Sequence, residues 1–331
     1  MVIGIRLEVP SGTSLKSLVT GFVLTKQTEG KSRKTVEYYS ENLRRFAWYA
    51  GEQRWPDDIR LITQWHIKEF LGYVATCKAR WGLNGNGSET SQRLASYSTV
   101  RHYFVVLSCF INWLVAEGFI SDNPMARIKI SKPKPKVITP YTAEEIRKML
   151  AVCDLDYTHG SKLLGSRNRA MILVLLDTGI RLSELAGMQV AHINAEDGKF
   201  KVLGKGRKER IVRLGRIARK ALWRYLVHRP QNGSVELWLT EEGKQLNMPG
   251  VQSMVKRLKE RAGVSGGGTV HRFRHTFALD FLRVDKNVFN LQYLLGHSDL
   301  DMVRRYTTAL GMEDALKAHE KASPADMLGI R

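Results

Sequence analysis

Three prolines fall within ten residues at 131–140, SKPKPKVITP, and no other feature constrains this chain as much. Proline holds φ near about −65°, has no backbone N–H and pushes the preceding residue towards extended backbone. The stretch therefore cannot be the middle of a helix or of a central strand. It reads as a semi-rigid linker over 132–140, whose three lysines suit a phosphate backbone or plain solvent. The 331 residues divide around it, in keeping with roughly 100–200 residues per domain.

The part before the linker has helical patterning. Ile3, Ile5, Leu7 and Val9 alternate, giving an arm or short strand over 1–12. Val36, Tyr39, Leu43, Phe46 and Ala50 recur at three- and four-residue steps, one face of a helix. Residues 63–80 and 98–117 predict two more helices, each with Thr or Ser placed to cap it. GLNGNGSETS, at 82–91, is a polar, Gly-rich loop. Residues 13–131 are thus expected to form a helical domain.

The part after the linker mixes elements. Thr142 and Glu145 have capping-box spacing, which opens a new domain at 141. RNRAMILVLLD (167–177) is an apolar helix, and helices are expected near 216–228, 250–262 and 270–283. Residues 199–202 and 209–214 read as strands around the turn GKGRK, a hairpin. From 313 to 331 the chain is weakly amphipathic, with Leu316, Met327, Leu328 and Ile330 as apolar points. The expected fold class is mainly α with a small β-sheet, in two domains, the second spanning 141–312.

Composition narrows the function. Hydrophobic residues at 43% and charged residues at 25% exclude a disordered or collagen-like chain. Lys and Arg number 52 against 32 Asp and Glu, a net charge of +20, which selects polyanions such as nucleic acid or an acidic membrane surface. The excess is not a detachable tail: residues 1–130 carry 17 basic and 11 acidic side chains, and 131–331 carry 35 and 21. Cys77, Cys109 and Cys153 form neither a disulfide framework nor a zinc cluster, and are expected to be buried thiols in a reducing cytosol. The longest apolar stretch, Phe104–Ala116, falls short of the ~18 residues of a membrane span, and MVIGIRLEVP lacks a secretion signal. A soluble, cytoplasmic protein is expected, without membrane contact.

Several chemistries lack their residues. HExxH is absent; His271 and His275 are spaced as metal ligands, but Arg272 and Arg274 beside them would repel a cation. GSKLLGSR (160–167) has the glycine spacing of a phosphate loop without its lysine. No metal and no cofactor is expected. Four basic boxes remain. In TGIRLSEL (178–185), Gly179 ends one helix and Arg181 sits at the turn into the next, with Glu184 placed to orient it; a surface ion pair is the commoner explanation for such a pair taken alone. GKGRKER (204–210) puts Lys205 at a hairpin tip, where a solvated turn lysine is the ordinary reading. HRFRH (271–275) places His271 and Arg274 on one face of a helix's first turn, an anion site by charge and dipole. LLGHSDLDMVRRYT (294–307) carries His297 and, nine residues on, Tyr306.

Together these residues suit attack on a phosphodiester. Two guanidiniums match the charge that builds on the non-bridging oxygens better than lysines would. Tyr306 can form a phosphotyrosine, but its ordinary pKa of about 10 calls for a base or cationic neighbours. Lys205 can protonate the leaving 5′-oxygen, His271 can accept the tyrosine proton, and His297 can donate to a phosphate oxygen.

The four boxes, in this order, resemble the tyrosine recombinase (phage integrase) family over about residues 141–310. The resemblance implies that Arg181 and Arg274 clamp the scissile phosphate. It gives Lys205 the leaving group, His271 the nucleophile's proton, His297 a supporting contact and Tyr306 the 3′-phosphotyrosyl bond. It also implies a two-domain, C-shaped clamp on double-stranded DNA, with a helical, SAM-like core-binding domain over 13–131. Exchange would pass through a Holliday junction in a homotetramer, without metal or ATP, and residues 313–331 would dock in cis or on a neighbouring subunit. An accessory protein or partner recombinase stays open. Type IB topoisomerases share the chemistry but usually carry Lys at the position of His271, and a non-catalytic DNA-binding relative would have no need of all six residues.

Overall fold

The computed structural model describes residues 14–77, 94–132, 139–194, 197–203, 209–268, 270–296 and His319. The chain separates into two compact units, Met1–Pro135 and Lys136–Arg331. The fold is mainly α with one small sheet, as the sequence predicts.

The first unit contains α1 (Leu15–Thr28), α2 (Arg33–Glu52), α3 (Gln64–Thr76) and α4 (Tyr97–Ala116). Ser32, Thr63 and Ser96 cap the last three, each accepting from a backbone N–H of the first turn. The predicted face of α2 is the buried one: Val36, Leu43, Phe46 and Ala50 are inside and Tyr39 packs at the edge. Rings fill the centre, with Phe46 and Phe70 at 5.1 Å and Phe22 and Phe110 at 5.4 Å, both edge-to-face. α1 escapes sequence reading because Thr and Gly interrupt its stripe of Leu15, Leu18 and Phe22. α4, at 20 residues, is long and apolar enough to cross a membrane by composition, beyond the stretch the sequence marked out. Its buried residues, from Val100 to Leu114, belong to this unit's core. The arm over 1–12 and the loop at 82–91 lie outside the described residues.

The second unit contains α5 (Ala143–His159), α6 (Lys162–Thr178), α7 (Leu182–Ala186), β1 (Lys199–Leu203), β2 (Glu209–Arg213), α8 (Arg216–His228), α9 (Met248–Arg261), α10 (Val270–Asp285) and α11 (Val288–Leu295). α6 is its axis, buried from Gly165 to Leu175 almost without interruption, and α5, α8 and α10 pack on it. Gly165 permits the α5 contact: a Cβ there would lie 2.4 Å from the Tyr157 backbone nitrogen. The capping box of Thr142 and Glu145 forms as expected, with bonds of 3.1 and 2.9 Å. β1 and β2 pair antiparallel, from Lys199 opposite Arg213 to Leu203 opposite Glu209. Cys153 is buried, as expected, but Cys77 and Cys109 are only half-buried. Cys77 ends α3, and Cys109 lies beside rather than on the core face of α4. Of the linker only its ends, and of the segment 313–331 only His319, are among the described residues.

Candidate active site

Three elements of the second unit converge through arginines. α6 ends at Gly179, whose φ of +57° suits glycine, and a Cβ there would lie 2.5 Å from the Phe277 ring of α10. This close approach brings the α6–α7 turn against α10. Arg274 of α10, 5% exposed, donates from Nη1 to the Gly179 carbonyl at 2.6 Å and from Nη2 to the Leu295 carbonyl at 2.8 Å. Arg181, the residue before α7, donates from Nη2 to the Gly296 carbonyl at 3.2 Å. Arg210 of β2 donates from Nε to the Leu294 carbonyl at 2.9 Å. Three guanidiniums thus meet the successive carbonyls at the end of α11, where the helix leaves acceptors unpaired and its dipole favours cations.

Glu184 of α7 organises this cluster. Its side chain is 1% exposed. Oε1 accepts from Arg181 Nη1 at 3.0 Å and Arg210 Nη1 at 2.7 Å; Oε2 accepts from the Arg181 backbone N–H at 2.7 Å and Arg210 Nη2 at 2.8 Å. Burial pushes the Glu184 carboxyl up, but the bonds from Arg210 and Arg181 and their charges outweigh it and hold it down at about 2. The carboxylate is therefore ionised at every ordinary pH.

His271 stands in the first turn of α10, one position from buried Arg272 and three from Arg274. It is exposed by surface area, yet enough protein packs around the ring that lost hydration lowers its pKa, and the charges of Arg274 and Arg181 lower it further. The imidazole is therefore the neutral form, able to take a proton, at neutral pH. Arg181 and Arg274 bond the adjacent carbonyls of Gly296 and Leu295, and His271 lies three residues from Arg274 on α10, which sets the three at the same end of the unit's helices. Arg181 keeps 30% of its side chain exposed, enough to reach an anion from outside.

Of the six predicted residues the structure brings these three together; Lys205, His297 and Tyr306 lie outside the described residues. The contact of Arg181 with Glu184 is the one expected from their spacing. Arg210 is the residue that sequence reading passes over. Its signal lies in the strand: Arg210 and Val212 share a face, while Ile211 between them is 53% exposed. A charged residue in phase with the buried valine needs an ionic partner inside. Among the described residues no group of His, Cys, Asp or Glu is arranged to hold a metal ion.

Comparison with known proteins gives the family and the fold. The tyrosine recombinase XerD of Listeria monocytogenes serotype 4b is 27% identical over 296 residues, covering 87% of this chain and 93% of that protein. The tyrosine recombinase XerC of Anoxybacillus flavithermus is 32% identical over 227 residues, covering 66% and 74%. Among solved structures, the XerH site-specific recombinase bound to palindromic difH substrate, a post-cleavage complex, superposes with a TM-score of 0.67 at 21% identity, covering 94% and 85%. The Tn1549 transposon integrase in complex with transposon right-end DNA gives a TM-score of 0.70 at 18% identity, covering 94% and 99%; likeness at this level is one of fold. The sequence pattern of the phage integrase family matches residues 141–311, and with that match the chain belongs to the phage integrase family, the tyrosine recombinases.

Proposed function

We propose that this chain is a site-specific recombinase that cuts and rejoins double-stranded DNA through a 3′-phosphotyrosyl bond. The observation that carries the reading is the convergence of Arg181 and Arg274 on the end of α11, with His271 three residues from Arg274 on the same helix, within boxes that belong to a recombinase family. Arg181 and Arg274 take the non-bridging oxygens of the scissile phosphate, where negative charge grows as a fifth oxygen approaches phosphorus. His271, neutral, accepts the Tyr306 proton as the phenolic oxygen bonds to phosphorus. Lys205 gives a proton to the departing 5′-oxygen, and His297 donates to the phosphate. The phosphotyrosyl bond stores the energy of the broken linkage, so a second 5′-hydroxyl can reverse the step on another strand without nucleotide hydrolysis.

The recombinase reading is favoured over a type IB topoisomerase by His271 and by the relatives' names. A lambda integrase of similar fold is known as a tetramer bound to a Holliday junction, which supports a homotetramer on paired duplexes here. The place of action is the cytoplasm, on DNA.

A suicide DNA duplex tests the assignment, because it traps the covalent intermediate. Tyr306→Phe is expected to bind the duplex as wild type does and to form no covalent adduct. Normal capture by that variant would move the nucleophile elsewhere, with Tyr293, 71% exposed, the first to examine.

A further inference from the structure

Arg210 gives its donors to the protein rather than to any ligand. Its side chain is 8% exposed. Nη1 and Nη2 bind both oxygens of Glu184 at 2.7 and 2.8 Å, and Nε holds the Leu294 carbonyl at 2.9 Å. Such a two-pronged contact is the strongest that arginine makes with a carboxylate. Arg181, by contrast, reaches Glu184 with one guanidinium nitrogen at 3.0 Å and remains partly open to solvent.

The charge balance follows. Glu184 brings one negative charge into a buried place, and two guanidiniums answer it. With Arg210 taking both carboxylate oxygens, the cluster keeps one net positive charge, and that charge lies on the exposed arginine. Without Arg210, Arg181 and Glu184 would neutralise each other, and the carboxylate would draw the Arg181 guanidinium inward. We propose that Arg210 is a positioning residue that neutralises Glu184 and so frees the charge of Arg181 for a DNA phosphate, an inference that rests on the function proposed above. It acts from β2, 26 residues from Glu184, and joins the hairpin to α7 and to the end of α11 through one side chain. A purely structural arginine would tie the same elements together, and removing the stranded negative charge after its loss would restore melting temperature, not the rate of covalent capture by variants that are already folded.

That difference supplies the experiment. Single-turnover covalent capture on a suicide duplex, at saturating DNA, is compared for wild type, Arg210→Lys, Arg210→Met, Glu184→Gln and the double variant Arg210→Met with Glu184→Gln. Thermal melts confirm that each is folded. Arg210→Met is expected to slow capture about 100-fold, the scale of losing one phosphate-stabilising donor, with DNA affinity changed less than about threefold. The double variant is expected to recover about tenfold of that loss, because Arg181 again has no carboxylate to neutralise it. Arg210→Lys, which keeps the charge and loses the fork, should fall between. Carboxylate NMR supplies a readout independent of DNA: in Arg210→Met the Glu184 pKa should rise from about 2. A double variant no faster than Arg210→Met, or a Glu184 titration unmoved by it, overturns the inference. Wild type that captures no DNA overturns the recombinase reading instead, and with it any service of Arg181 to a DNA phosphate.

Discussion

The two units bury different chemistry. Among the described residues of the first, Asn42 is the sole buried polar side chain, and the core is otherwise rings and aliphatic groups. The second buries Arg167, Arg229, Lys259, Arg272 and Arg274 as well as Glu184. Each of these five cations is bonded to at least one main-chain carbonyl. Arg229 holds those of Pro230, Ser234, Glu236 and Leu237; Lys259 holds Gly266 and Gly268; Arg272 holds Thr139, Pro140 and Ser265. A ring core fixes helices against one another but leaves their ends to themselves. Buried guanidiniums fix loops and helix termini, at the cost of taking charge out of water. The unit that carries the predicted site needs the second kind of order, because a phosphate clamp must be held to a fraction of an ångström.

Methionine placed at one buried position in each unit should break this contrast if it is false. Arg272→Met keeps much of the volume but strands three carbonyls and leaves Glu145 without its 2.8 Å partner. The expected loss is about 3 kcal/mol in urea unfolding, the low end for breaking a buried pair, because Glu145 keeps 22% of its side chain exposed. Leu114→Met, at a fully buried position in the first unit, should cost under about 1.5 kcal/mol. Equal losses would mean that both units rest on packing alone.

Acid sharpens the comparison next. Glu184 and Glu145 are pushed up by burial but held below their ordinary 4.5 by arginine and backbone partners, Glu184 at about 2. Their folded-state pKa lies below the unfolded one, so the stabilisation is whole above about pH 4.5 and drains as pH falls towards 2. In the first unit the one acid displaced downwards is Glu29, which is exposed, among the described residues. Between pH 6 and pH 3 the calorimetric transition of the second unit should therefore drop about 5 °C further than that of the first. A parallel drop would deny the buried pairs their share.

What the sequence made legible was local. HRFRH holds two arginines, and helical spacing set Arg274 on one face with His271. The structure separates the two arginines: Arg272 reaches back to Thr139 and Glu145, while Arg274 meets Gly179. Glu184 was legible for the same reason, three residues from Arg181. The partners of Arg274 were not, since Gly179 is 95 residues away and Leu295 is 21, and a carbonyl has no letter in the sequence. α1 was hidden by its diluted stripe, and Arg210 by a basic run, GKGRKER, in which only the strand's alternation separates an inward charge from its solvated neighbours.

The smallest effect tests the site most directly. His271 is lowered first by lost hydration, then by Arg274 and Arg181. A histidine whose folded pKa lies below 6.5 adds no penalty at neutral pH, and it lowers stability only as pH falls from 6.5 to the folded value, where the unfolded chain takes up the proton first. Proton NMR of the His271 ring should find its midpoint below 6.5 in the wild type. Arg181→Gln removes one of the two charges, so the midpoint should move back towards 6.5 without reaching it, because burial and Arg274 remain. The first unit supplies the control: a conservative change there, Leu114→Met, should leave the titration where it was. A midpoint at or above 6.5 in the wild type, or one indifferent to Arg181, would separate the guanidinium from the imidazole and leave the two basic boxes as unrelated surface charges.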